Sequence, residues 1–299
     1  MESWTTKNQI YALIKNTNKI IKTNIEGVAQ ERFFYALEEF TLEEEAILKK
    51  LIDLWSKDSV KEVNLKFYFA FTSYSKLKRD IPIELIDLEK REEFERRLNI
   101  LRTNGMEDVH SVLEKFGEKL ISVKKIEDLN FLDKEDDLLM TMIYVAFQYL
   151  RTKKMRSKIE TVIPKLNYLS PKFLNILPFI YSTAIADSLT YDKNTKFEFL
   201  DNQTEIDFLT CDQPLINIKA SALNDFNVVQ QLDLYYPLNP NLAILIHYQD
   251  QKDKIKYSKV NNDEVNKYNA FVIENSNEFI FSRSQAQLEN INRTIFIKS

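Results

Sequence analysis

The 299-residue chain is 44% hydrophobic and 29% charged, a soluble globular composition able to bury a sizeable core in one large domain or two lobes. A net charge of −4 and a pI of about 5.5 exclude a molecule-wide cationic footprint for nucleic acid and leave room only for a local basic patch. One cysteine and two histidines exclude an internal disulfide and a Cys/His structural zinc site, and three glycines leave no room for a glycine-rich phosphate loop.

In chain order, Gln9 to Lys15, the turn residues Asn16-Thr17-Asn18 and Lys19 to Thr23 predict a small hairpin. Phe33-Phe34-Tyr35 is an aromatic cluster expected in the core. Thr41 as N-cap and Glu44 at the third helical position form a capping box that starts a helix running to about Ser56, with Ile47, Leu48, Leu51, Ile52 and Trp55 on one face. Asp58 to Lys76 predicts a second helix. After Pro82, Glu84 to Leu101 predicts a charged helix ended by Asn104-Gly105, and Glu107 to Phe116 another, ended by Gly117.

Asp133 to Ile159 reads as one long central helix, apolar nearly all round in its first half and basic in its second. Ser170-Pro171 starts a helix expected to kink near Pro178. From about Thr195 the period changes. Lys196 to Leu200, Glu205 to Cys211, Leu232 to Tyr236, Leu242 to Tyr248 and Lys254 to Ser258 predict strands, with a turn at Asp201-Asn202-Gln203. A helix at Asn262 to Asn275, a strand at Glu278 to Phe281 and an edge strand at Thr294 to Ile297 complete the chain.

The expected fold class is α+β: a largely helical N-terminal two-thirds packed on a mostly antiparallel C-terminal sheet, with a small N-terminal hairpin. We expect one large domain over 1–299, its helical lobe at about 37–190 and its sheet lobe at about 191–299 plus the hairpin 9–23. The most apolar window, Leu138 to Leu150, is too short to span a bilayer, and the N-terminus reads as no secretory leader; a cytoplasmic protein with no membrane partner is expected.

Candidate chemistry gathers at two places. Asp212, in the proline-pinned corner Cys211-Asp212-Gln213-Pro214 at a strand end, has the character of a metal ligand or general base, or of a turn cap accepting backbone N–H bonds. On the central helix Gln148, Arg151 and Thr152 share a face, with Arg156 beyond; an arginine there suits a phosphate or carboxylate, or else a neighbouring acid or the helix-end carbonyls. His247 in an apolar strand reads as half-buried, His110 as a surface residue and Cys211 as a buried inert thiol. No P-loop, dinucleotide fingerprint, nucleophile elbow or H-E-x-x-H string occurs. Asn217 stands where a restriction-type nuclease ending on Lys219 would need an acid.

Five strings in order resemble the family called domain of unknown function 4238: residues 10–35, FQYLRTKKMR at 147–156, FLTCDQPLI at 208–216, YPLNPNLAILI at 236–246 and VNKYNAFVIENSNEFIFS at 265–282. Asp212 and Pro214 match the family's corner, whereas Cys211 and Gln213 replace its Ser and Asn, and the family's His-containing opening segment has no counterpart. The resemblance implies a bacterial protein associated with anti-phage defence. On that footing we expect an effector or sensor acting on nucleic acid or a nucleotide, possible enzyme classes being a nuclease or another phosphoester hydrolase. Asp212, Gln148 and Arg151 are the expected catalytic residues, and Gln213, Arg156 and Asn269 the expected substrate-binding ones, with Asp212, Gln213, Gln148, Arg151 and Asn269 expected to converge on one site. Asp212 would hold a divalent ion such as Mg2+. The alternative is a non-catalytic interaction module that senses a phage protein. A small-molecule hydrolase using His247 needs an acid or nucleophile beside it that the sequence does not show.

Overall fold

The structure, a computed structural model, describes residues 9–24, 36–124, 126–162, 170–219, 232–250 and 253–296. The aromatic cluster expected at 33–35 lies outside them. The chain is α+β, with helices concentrated in its N-terminal and central parts and antiparallel-rich sheets towards its C-terminus. It forms two compact units: a helical one of residues 31–119 and 131–190, and a β-rich one of 1–30, 120–130 and 191–299.

The helical unit is built on α1 (Leu42–Trp55), α2 (Asp58–Asp80), α3 (Leu88–Ile121), α4 (Glu135–Leu150), α5 (Lys153–Val162) and α6 (Leu177–Tyr191), the last residues of α3 and α6 falling in the other unit. The capping box of α1 is present as read, with Thr41 accepting from Glu44 N–H and Glu44 accepting from Thr41 N–H. The α4 sequence LLMTMIYVAF is buried on nearly every side, as an all-round apolar helix must be. Its Phe147 meets Phe179 of α6 at 4.6 Å between ring centroids, and Phe67 and Phe71 of α2 close on the same Phe179. Each such fully buried ring contributes about 1.5–3 kcal/mol over leaving it in water.

Three expectations about this unit fail for identifiable reasons. The helix pair expected on either side of Asn104-Gly105 is one continuous helix, α3, and neither Gly105 nor Gly117 has positive φ. Both glycines are there for close approach: a Cβ on Gly105 would meet Leu37 Cδ1 at 2.6 Å, and one on Gly117 would meet the Tyr144 ring at 2.5 Å. The long helix expected at Asp133 to Ile159 is two helices, α4 and α5, broken at Arg151-Thr152. Ser170-Pro171 opens a 3-10 turn (Pro171–Asn175), and Pro178 is the second residue of α6, where a missing N–H forfeits no bond, so it starts a helix and kinks none.

The β-rich unit holds two sheets. One has the order β2-β1-β9-β4, from β1 (Gln9–Ile14), β2 (Lys19–Asn24), β4 (Thr210–Cys211) and β9 (Phe279–Ser282), all antiparallel. Asn18 takes positive φ, 54°, in the hairpin turn, a conformation asparagine tolerates. The other has the order β5-β6-β7-β3-β8, from β3 (Thr195–Asn202), β5 (Ile216–Asn217), β6 (Leu234–Asn239), β7 (Leu242–Tyr248) and β8 (Ile255–Val260); only β3–β8 is parallel. Two helices, α7 (Asn262–Asn275) and α8 (Gln285–Ile291), share one apolar cluster with both sheets, through Leu13, Ile280, Leu245, Val265, Val272 and Leu288.

Here too the sequence misleads in places. β3 continues through Asn202, where a turn was expected. Only Thr210–Cys211 of the segment Glu205 to Cys211 pairs as strand. β6 starts at Leu234 and runs over Pro237 to a register shift between Pro237 and Asn239, where proline's missing donor is absorbed. Asn292–Phe296 winds as a wide helical turn in place of the edge strand expected from Thr294, and α8 was not anticipated.

Gly117→Ala is expected to lower stability by about 1–3 kcal/mol in a urea melt, because the methyl must displace an aromatic ring. Gly105→Ala should cost less: its obstacle is the end of a flexible leucine, and alanine gains about 1 kcal/mol in helix propensity.

Candidate functional site

The six candidate residues divide between the units. Gln148, Arg151 and Arg156 belong to the helical unit; Asp212, Gln213 and Asn269 belong to the β-rich one.

In the β-rich unit the polar corner is occupied in holding backbone. Asp212 accepts from the N–H groups of Asn277 (2.8 Å), Glu278 (2.6 Å) and Phe279 (3.3 Å), in the connection between α7 and β9. Asn269 is buried; its side chain accepts from Leu209 N–H at 2.8 Å and donates to Asp207 C=O at 2.8 Å. Gln213 is buried and donates to Leu215 C=O at 3.0 Å. The turn-capping alternative thus describes what the Asp212 carboxylate does here, although the turn it caps is 65 residues away along the chain. Among the described residues no group of three or more His, Cys, Asp or Glu is placed to hold a metal ion.

His247 Nε2 stands 3.8 Å from Glu198 Oε2, an acid the sequence reading did not place beside it. Ser258 hydrogen-bonds the Glu198 carboxylate and Lys256 Nζ lies 3.0 Å from it. Burial alone would push Glu198 up, but the bonds from Ser258 and Lys256 outweigh it and hold the carboxyl below its ordinary value. The acid sits between serine and histidine, so the order needed for a base-activated serine is not met.

In the helical unit Arg151 and Arg156 come together. They line one small, partly open cleft together with Phe147, Phe179, Asn175 and Pro178. The helix break makes this possible. On a continuous helix, residues five apart point about 140° away from each other. Arg151 is the C-cap of α4, its N–H bonded to Phe147 C=O, and α5 leaves in a new direction carrying Arg156. Arg156 Nε donates to Glu160 at 3.2 Å, and Arg151 Nη1 lies 4.0 Å from Glu114. Gln148 is buried in α4 and does not line the cleft.

His110, read as a surface residue, is buried under the floor, its ring 5.1 Å from Phe147 and 5.2 Å from Phe179. Burial first, and the Arg151 charge second, lower its pKa from 6.5 to about 4, so the imidazole is neutral at neutral pH. The sequence reading missed His110, Asn175, Pro178 and the aromatic floor. The spacing of Phe147 from Arg151, one helical turn, was the available signal.

Fold and site thus define an α+β protein with an arginine-lined cleft in its helical unit. The family model described as "Protein of unknown function (DUF4238)" matches residues 2–286, and the chain belongs to that family. No curated protein and no solved structure matches it. Among the described residues no helix is long and apolar enough to cross a membrane.

Two predictions follow from this geometry. Asp212→Ala should destabilise the chain by about 1–3 kcal/mol, read as a fall in melting temperature, because three N–H groups lose their acceptor. His110 has a folded-state pKa below its unfolded one, so the unfolded state takes up the proton first. Stability is full above pH 6.5 and is lost as pH falls towards about 4, by up to about 3 kcal/mol. Urea melts across that range should show the loss in wild type and a flatter profile in His110→Phe.

Proposed function

We propose that the chain binds a phosphate-bearing ligand, a nucleotide or nucleic acid, in the Arg151–Arg156 cleft. We read it as a cytoplasmic bacterial effector or sensor of anti-phage defence. The observation that carries the binding reading is that two arginines, Arg151 and Arg156, line one cleft together with the aromatic rings of Phe147 and Phe179. Guanidinium matches phosphate in planar, charge-assisted pairs, and an apolar floor lowers the local dielectric and strengthens them. The N-terminal end of α6, the positive end of its dipole, supplies Pro178 and Phe179 to the same cleft. The lining offers two arginines and an amide to hold a phosphate. A divalent ion such as Mg2+ would in this reading arrive with a polyphosphate ligand.

Calorimetric titration with ATP and with short single-stranded RNA tests the proposal. Arg151→Ala and Arg156→Ala are each expected to weaken binding about tenfold or more while melting near the wild-type temperature. The same variants should lose protection in a phage-plating assay. Unchanged binding in both variants would remove the cleft from consideration.

The second reading, an interaction module that senses a phage protein, is favoured by a different observation in the same unit. Leu77, Ile81, Leu85 and Leu88 are all exposed around the α2–α3 junction, Leu85 and Leu88 to about four-fifths. Leu85→Lys with Leu88→Lys should abolish protection and spare nucleotide binding if that surface is the functional one.

A further inference from the structure

We infer that the tip joining α2 to α3 is a docking surface for a second copy of this chain, and that the two copies meet there about a twofold axis. The inference goes beyond the phosphate-binding reading and does not rest on it. It gives to a second copy the surface that the second reading above gives to a phage protein.

The first observation is a run of unburied chain. From Lys76 to Asn104 no residue is buried. The run takes in the end of α2, a short 3-10 turn (Ile83–Leu85) and the first half of α3. A solvated run with no further contact is expected to be polar. Here its tip reads IPIELIDL over 81–88. Leu77, Ile81, Leu85 and Leu88 are exposed, and Ile83 and Ile86 are only half-buried. Single exposed leucines are ordinary, but a group of them so close along the chain marks an interaction surface.

The tip is also held in shape. Leu85 N–H donates to Pro82 C=O at 3.0 Å and Ile86 N–H to Ile83 C=O at 3.2 Å. From α3, Arg91 donates through Nε to Ile86 C=O at 2.9 Å and through Nη2 to Glu84 C=O at 3.1 Å. A surface fixed in advance loses little conformational freedom on binding, which suits a specific partner.

The charges around the tip decide for a second copy. On the α2 side stand Lys76 and Lys78, both exposed. Arg79 adds little there, because Glu45 holds it by two bonds of 3.1 and 3.2 Å and Asp80 lies 3.9 Å from it. On the tip and the start of α3 stand Glu84, Asp87, Glu89 and Glu92, all exposed. Lys78 is shared with Glu39, and Asp87 with Lys90; all four side chains are exposed, so these pairs are weak and exchange readily. Cations thus lie on one side of the apolar tip and anions on the other. A twofold axis through the tip sets each copy's cationic side against the anionic side of the other, and leucines against leucines. A uniformly acidic or uniformly basic partner would meet its own charge on one side. The placement also suits the dipoles of the two helices, with cations at the C-terminal end of α2 and anions at the N-terminal end of α3. Mixing charge-reversed variants separates the two roles.

The test is sedimentation equilibrium of the full chain. Wild type is expected to pass from monomer to dimer within about 1–100 µM, as suits a small interface. Leu85→Lys with Leu88→Lys is expected to raise the dissociation constant at least about thirtyfold while melting near the wild-type temperature. Lys76→Glu with Lys78→Glu, and separately Glu84→Lys with Glu89→Lys, are each expected to weaken self-association about tenfold. Mixed together, these two charge-reversed chains are expected to pair about as tightly as wild type does with itself, because opposite charges again face each other across the axis. A helix-dipole role alone gives no such recovery, and its absence would overturn the twofold arrangement. A dimer that survives the leucine substitutions would place the contact elsewhere and overturn the proposal. So would a wild type that stays monomeric up to about 500 µM; if the leucine variant then still loses protection in a phage-plating assay, the surface belongs to a phage protein.

Discussion

A buried stretch of chain without regular secondary structure must find partners for its backbone groups elsewhere, and the β-rich unit is arranged around that demand. Between β3 and β6 the chain pairs as strand only at Thr210–Cys211 and Ile216–Asn217 among the described residues, yet Asp207 to Gln213 except Asp212 is buried. Side chains supply what a sheet would have supplied. Asn269 takes Leu209 N–H and gives to Asp207 C=O, Gln287 gives to the same carbonyl, and Asn202 gives to Ile206 C=O. Asp212 returns the service to the turn after α7. Lys15 donates to the Ile273 and Ser276 carbonyls at the C-terminal end of α7, where the helix dipole favours a cation. Anion on the N–H groups and cation on the C=O groups fix that turn from both sides. Buried polar groups left unpaired cost far more than any one such bond contributes, so each member of this set is held in place by the others.

This explains why the corner Cys211-Asp212-Gln213-Pro214 draws attention in the sequence. A carboxylate and an amide beside a buried strand end carry the composition of a catalytic site and of a backbone clamp alike. The distinction lies in residues more than 60 positions away, Asn277 to Phe279, which no local pattern points to. Elements whose determinants are local were legible: the hairpin with its Asn-rich turn, the Thr41–Glu44 capping box, the limits of α7, the apolar wrap of α4. Those decided by distant contacts were not. Gly105 and Gly117 look like helix stops, and only Leu37 and the Tyr144 ring reveal them as points of close packing.

The arginine cleft shows the same limit from the functional side. Both arginines were visible, and so was the basic run that contains them. A single helix through that run would have turned Arg156 away from Arg151, and nothing in LRTKKMR marks a break after Leu150. The cleft exists because the chain changes direction there. Its floor comes from Phe179, and its wall from a proline that reads as a kink and behaves as a helix start. A site assembled from a helix end, a following helix and a third segment further on is written in the topology more than in any one string.

The pairing of β1 with β9 has a consequence for the order in which the molecule is made. The first strand described finds its partner 267 positions later, at Leu13 opposite Ile280, and Lys15 reaches Ser276 across 261 residues. During synthesis the hairpin emerges before the helical unit and must wait for β9 before the two can pair. All of the helical unit's residues emerge in the interval, so the contacts within that unit can form before β9 is made. Local helical contacts form quickly, whereas closing so long a loop comes late. The helical unit is therefore the part able to fold while the ribosome is still at work. The β-rich unit is completed only after that, when α7 and β9 deliver the turn that Asp212 and Lys15 hold.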